Sequence, residues 1–402
     1  MRSSTEKVYK FNLFYIAFCI VWTPLQLFYL KIDSYGRLQM LFSIIAIIVN
    51  FSTLFKRKGS LRSRAFGCWL LLVLYTFVNS MIKGFTAESG TLLFIRSEFI
   101  DPLFFLMIII ISLNHDRIKS LKTIFIAECS YLMFGGLNIS MMDDGRALAM
   151  GLGNMLPLMS ISTLFVAGIL LREKQLWWGW RLYLVVFILA LYIIILSGTR
   201  KALGAMVLMF VGTVVSSSGK KTVQMWIVLT ISVIIGWFGL KWMMSNTFMG
   251  SRLTEIGEQF DYTFSSNPVI NSLILDFLGD RSYFYFFGLQ IFHQYPLTGI
   301  GIRNFATVNM SKLRLHTEYI TQLCENGIIG FSLLLIFYYL IFKGLRKRKN
   351  KGPGNVLYMF GLGAVLFINF TAWTYNMLYI MIIYGILIAK IHPVQSNLKS
   401  IV

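Results

Sequence analysis

Long apolar runs, each near the length that crosses a hydrocarbon core, alternate along the chain with short polar segments rich in Lys and Arg. Read with a window of about 19 residues, they predict helices over 11–30, 38–55, 65–82, 91–113, 121–139 and 152–171. Further runs predict helices over 180–197, 202–218, 222–243, 318–342, 355–371 and 373–390. The last two form one apolar stretch, too long for a single crossing, which divides at TAWTYN, residues 371–376. The expected fold is all-α: a polytopic membrane protein of about twelve transmembrane helices with one large extracytoplasmic loop. Residues 1–243 hold helices one to nine, 244–316 the loop with interfacial helices, and 317–402 the last three helices. The opening MRSSTEKVYK leads into an apolar run without a small-residue cleavage site, so it reads as a retained first helix.

Composition narrows the class. The 402 residues are 56% hydrophobic and 16% aromatic against 13% charged, which excludes a disordered tail or a water-soluble nucleic-acid binder and leaves no room for a second soluble domain. The net charge of +20 is read as a topology signal. With the N-terminus inside, alternate connections and both termini carry 24 Lys and Arg, the outer short connections 7, and the long loop 6. That asymmetry predicts both termini in the cytoplasm and no nucleic acid as a partner. Of 17 acidic residues, 13 fall on the outer side or in outer helix halves, so polar chemistry is expected to face out. Cys19, Cys68, Cys129 and Cys324 are scattered through apolar sequence with no CxxC pair, so no disulfide or metal framework is expected.

Ionisable groups at the edge of a bilayer are expensive and mark function. Arg200 lies in LSGTRKALG, where one helix ends and another begins, beside backbone amides suited to an anion. Arg281 precedes the aromatic block Tyr283–Phe287, Arg303 follows the turn at Gly299 and Gly301, and Arg146 lies in MMDDGRALAMGLGN. Guanidinium forks match phosphate oxygens, so such a cluster suits a diphosphate headgroup. The aromatic block predicts a helix on the membrane interface. His316, in LRLHTEYITQLCENGIIG, caps a helix on which Glu318, Gln322 and Glu325 share a stripe expected to face a cavity. His293 is a weaker candidate, and His115 and His392 fall on the cytoplasmic side. Arg96, Glu98 and Asp101 interrupt the fourth helix and are read as an ion-pair network needing cationic partners, with substrate contact as the alternative. Glu128 is ambiguous between structure and function. Asp261, Asp276, Asp280 and Glu255 match no ligand spacing, so no metal and no cofactor is expected.

Four patches, GRALAMGLGN, SGTRKA, DRSYFYFFGLQIFHQYPLTGIGIRNF and HTEYITQLCENGIIG, together resemble the O-antigen ligase and polymerase family of bacterial surface polysaccharide enzymes. The resemblance spans 145–330 and implies a GT-C-like inner-membrane glycosyltransferase acting on an undecaprenyl-diphosphate-linked oligosaccharide at the outer leaflet. It implies that Arg200 and Arg281 hold the diphosphate and that His316 activates or orients the acceptor hydroxyl. Arg146, Arg303, Asn154, Glu318 and Glu325 are implied as substrate-binding, and a chain-length regulator as a further partner. Thr317 and Phe331–Ser332 depart from the ligase pattern and favour a capsule or O-antigen polymerase. A ligase adding glycan to a lipid A core, and a lipid-linked oligosaccharide flippase, are the alternatives. A flippase should carry its charges near the midplane rather than at the outer rim.

Overall fold

A computed structural model describes residues 2–25, 37–56, 59–84, 91–137, 139–141, 147–149, 155–197, 199–217, 268, 282–308, 315, 317–347, 354–370, 372 and 374–392. The helices are α1 (Arg2–Pro24), α2 (Arg37–Lys56), α3 (Arg64–Lys83), α4 (Thr91–Ile95), α5 (Leu106–His115), α6 (Arg117–Gly136), α7 (Met155–Arg172) and α8 (Trp180–Ser197). They continue with α9 (Arg200–Ser217), α10 (Ser282–Gln294), α11 (Phe305–Val308), α12 (Glu318–Lys347), α13 (Gly354–Asn369) and α14 (Leu378–Ile391). Two three-residue strands, β1 (Ile139–Met141) and β2 (Ala147–Ala149), form an antiparallel hairpin, a small exception to the all-helical expectation. Each expected apolar run overlaps described helix, the run 91–113 being divided among α4, a π-helical segment (Arg96–Phe105) and α5; the exception is 222–243, which lies outside the described residues, as do 26–30 of the first run.

Five of the described helical stretches are long and apolar enough to cross a membrane: Arg64–Lys83, Arg96–His115, Met155–Arg172, Trp180–Ser197 and Glu318–Lys347. Shorter apolar helices cover Leu38–Phe51, Lys201–Ser217, Asn355–Asn369 and Leu378–Ile391. Helix α7 is apolar on all sides and lies at the centre of the bundle, buried from Leu156 to Leu171. Helix α8 lies at the rim, with Leu184, Val185, Ile188, Leu189 and Tyr192 facing outward. A helix buried on every face and another apolar on its outer face are what a bundle surrounded by hydrocarbon requires.

Small residues set the closest helix contacts. Helices α9 and α13 run antiparallel: a Cβ on Gly204 would meet Phe367 at 2.5 Å, and one on Gly212 would meet Phe360 at 2.6 Å. Polar clasps supplement packing. Asn12 and Asn50 exchange amide hydrogen bonds of 3.0 and 2.7 Å between α1 and α2, and the hydroxyls of Tyr15 and Ser43 lie 2.8 Å apart.

The two ends of the bundle differ in chemistry. At one end Arg117, opening α6, pairs with Glu173 at 2.5 Å and donates to the Tyr358 hydroxyl, while Lys390 lies 5.1 Å from the Tyr358 ring. The other end carries the starts of α9 and α12 and the segment around α10.

Candidate functional site

Helix α12 is broken within its first third. Gly327 has φ 64° and ψ −168°, so the chain is helical before and after it but not through it. Only glycine takes this conformation cheaply, and a Cβ here would collide with the Leu297 carbonyl. A break inside an apolar bundle frees backbone groups that must find partners. They find them in the segment 296–301. The N–H groups of Ile328 and Ile329 donate to the carbonyls of Pro296 at 2.8 Å and Leu297 at 3.4 Å. In return, Ile300 N–H donates to Cys324 O at 3.0 Å and Gly301 N–H to Glu325 O at 2.9 Å. Gly299, at φ 65°, brings the two backbones so close that a Cβ would meet Cys324 O at 2.5 Å. From α3, Tyr75 donates to Asn326 O at 2.9 Å, and the Asn79 amide donates to Thr298 O at 2.8 Å and Glu325 O at 3.2 Å. Two patches singled out in the sequence, PLTGIGIR and ENGIIG, are therefore halves of one hydrogen-bonded unit.

Arg303 ends the first of these patches with φ 61°. Its guanidinium donates to the Glu98 carboxylate and to Ser97 Oγ (3.1 Å), and it lies 5.4 Å from the Phe94 ring. Glu98 also receives the Asn376 amide at 3.1 Å. Glu98 belongs to a π-helical segment, Arg96–Phe105, in which Arg96 pairs with Asp101 at 3.0 Å. Pro102 within it removes a backbone donor, and its own carbonyl accepts from Trp69 Nε1 at 3.0 Å. Both acids of this segment thus have cationic partners, one local and one supplied by Arg303.

Glu318 is buried at the first position of α12. One carboxylate oxygen accepts the backbone N–H groups of Thr374 (2.7 Å) and Tyr375 (2.9 Å), and the other accepts the Gln322 amide at 3.0 Å. Asn326 donates to Gln322 Oε1 at 3.0 Å, so a ladder Glu318–Gln322–Asn326 descends α12 at helical spacing. Glu325 turns aside, its carboxylate held by the backbone amides of Arg303 and Phe305. Beyond Thr374 the network continues: Thr374 Oγ1 to Asn369 Oδ1 at 2.7 Å, Asn369 Nδ2 to Tyr338 at 2.6 Å, and Tyr338 to Tyr384 at 2.7 Å between hydroxyls. The sequence reading missed Asn79, Asn369, Thr374 and Asn376. Their signal was available: each is a polar interruption of an apolar run.

The aromatic block does open a helix, α10, whose Gly288 packs against Ile320. Phe305, Leu315, Ile320 and Cys324 form a second small core beneath it, joined by Tyr285, Phe287 and Leu289. Tyr285 donates to the Phe370 carbonyl and lies 3.1 Å from Thr317 Oγ1, which in turn bonds Asn369 O at 3.3 Å. The start of α10 and the start of α12 therefore both meet the C-terminal end of α13. Antiparallel packing of α9 on α13 carries the start of α9 to the same end. Arg146, Asn154, Arg281 and His316 lie outside the described residues, as do the acids Glu255, Asp261, Asp276 and Asp280. For Arg200 the backbone is described, as the first residue of α9, but the side chain is not. Of the expected site residues, Arg303, Glu318 and Glu325 are described in full, and each is engaged by protein groups of this layer.

Elsewhere, Glu128 on α6 is buried and accepts from Ser162 on α7 at 2.5 Å. Among the described residues no three His, Cys, Asp or Glu side chains gather as a metal site.

Comparison with protein-family models and with curated proteins finds no match. Fold and site define a helical, membrane-associated protein. At one end of its bundle a broken helix, a glycine-rich segment and a π-helical turn are knitted together by buried charge and amide groups.

Proposed function

We propose that the chain is a multi-pass glycosyltransferase of the bacterial cytoplasmic membrane, with about twelve spans and both termini inside. In this reading it is a polysaccharide polymerase, transferring a glycan from undecaprenyl diphosphate to the hydroxyl of a second lipid-linked glycan at the outer leaflet. One observation carries it: the starts of α9, α10 and α12 meet at the C-terminal end of α13. Arg200 opens the first of these helices, Arg281 directly precedes the second, and His316 lies two residues before the third. A site assembled from those three residues requires such a meeting.

The chemistry follows from the residue types. A diphosphate leaves readily once its developing charge is neutralised, so guanidinium groups at the breaking bond lower the barrier without a proton donor. A sugar hydroxyl attacking the opposite face of the donor's anomeric carbon inverts that centre and gives its proton to His316. The lipid diphosphate bond drives the transfer. Arg303, Glu318 and Glu325 serve as positioning residues, holding the backbone from which the site is built.

The test is incubation of the purified chain with a lipid-diphosphate repeat unit alone. A ladder of products supports a polymerase. Turnover only after adding lipid A core means ligase, and transbilayer movement of an unaltered donor means a flippase; either result overturns the reading.

A further inference from the structure

The basic end of the bundle holds a segment that this chemistry leaves unused. Residues 173–179 join α7 to α8, and so short a link keeps its side chains at the depth where the two helices end. Leu176 is buried, and the N–H groups of Gln175 and Leu176 donate to Leu170 O at 2.8 and 3.2 Å, pinning the link against the end of α7. Lys174, Trp178 and Gly179 have φ of 56°, 53° and 53°. For a bulky side chain that conformation is strained, because Cβ crowds the backbone. Trp178 is nevertheless 82% exposed, so packing within the protein does not offset the strain. Trp177 and Trp180 beside it are 48% and 41% exposed.

The surroundings are cationic. Lys122 Nζ lies 5.7 Å from the Trp177 ring and donates to Gln175 Oε1 at 3.1 Å. Lys174, on the link, and Arg181, in the first turn of α8, are exposed. Its single acid, Glu173, is neutralised by Arg117. Exposed indoles at a helix end favour the boundary between hydrocarbon and headgroup, and clustered Lys and Arg favour anionic phosphates there.

We propose that the α7–α8 link is a docking surface for anionic lipid headgroups, with Trp177, Trp178 and Trp180 seated at the hydrocarbon boundary and Lys174 and Arg181 on the phosphates of the same leaflet. The proposal rests on membrane insertion alone and stands whether or not the chain transfers sugars.

The test uses the full chain in nanodiscs of phosphatidylglycerol and phosphatidylcholine, one lipid at a time brominated to quench tryptophan emission. Brominated phosphatidylglycerol should quench more strongly than brominated phosphatidylcholine. Lys174→Gln with Arg181→Gln, on exposed positions that leave folding intact, should weaken that preference by about fivefold per charge. Trp178→Gly relieves the backbone strain, so it should raise the unfolding temperature in detergent while reducing the lipid-dependent quenching. Equal quenching by the two lipids in the unaltered chain, or an unchanged preference in the double Gln variant, would overturn the proposal.

Discussion

Arg303 and Glu98, 205 residues apart in the chain, form an ion pair buried inside the helix bundle. Neither group tolerates burial alone, since an uncompensated charge in a low-dielectric interior costs several kcal/mol. The pair therefore ties the glycine-rich segment 296–303 to the π-helical turn 96–105, and with it the broken part of α12 to the body of the bundle. Arg303→Ala should destabilise the chain by about 3–5 kcal/mol, read as a fall in the unfolding temperature in detergent. Adding Glu98→Gln should recover part of the loss, because the orphaned charge is gone. A single variant as stable as the parent would show that the pair does not hold the segment.

Glu318 anchors the turn between α13 and α14 through two backbone amides. Glu318→Ala leaves both unsatisfied at roughly 1–3 kcal/mol each, a loss visible in thermal unfolding. Glu318→Gln keeps an acceptor oxygen and should cost clearly less. Equal behaviour of the two variants would remove the anchoring role.

Gly327→Ala forces a side chain into a left-handed conformation and against the Leu297 carbonyl. The expected cost exceeds about 1 kcal/mol, the usual penalty for a misplaced Ala at positive φ. Protease accessibility of the 296–301 segment should rise in parallel. Gly363→Ala, where a Cβ meets nothing within 4 Å, is the control and should be tolerated.

Arg200→Ala and Arg281→Ala should each abolish polymer growth while the protein still inserts into the membrane, as followed by product ladders and membrane fractionation. His316→Ala should slow turnover on the order of 10² to 10⁴, the usual contribution of acid–base assistance. Normal chain length in both arginine variants would sink the polymerase reading, and an unchanged rate in the histidine variant would leave His316 a structural role only.

How much of this was legible in the sequence varies with the range of the interaction. Helix positions follow from local apolar runs, so α3, α7, α8 and α12 begin and end within a few residues of expectation. The interruption between α13 and α14 was signalled by TAWTYN. Glu98 and Asp101 visibly needed cations, and Arg96 was near enough in sequence to suggest one. That Arg303 supplies the other depends on a contact across 205 residues, which no local pattern encodes. The stripe Glu318, Gln322, Glu325 was read at helical spacing, yet the side-chain ladder passes through Asn326 instead. The ladder follows the i, i+4 row 318, 322, 326, whereas Glu325 lies beside that row and meets the amides of 303 and 305. The π-helical turn left no periodic signal, since one extra residue per turn only blurs a helical pattern.

The unit around Gly327 also dictates an order of assembly. Pro296, Leu297, Ile300 and Gly301 precede α12 in the chain, so the partners that seal its break have already been synthesised when it emerges from the ribosome. Thr374 and Tyr375 come afterwards, and until they are made the carboxylate of Glu318 has only the Gln322 amide and no backbone amides to receive. The head of α12 can thus be locked in place only after the turn between α13 and α14 has been made, so this end of the bundle closes later than the unit around Gly327.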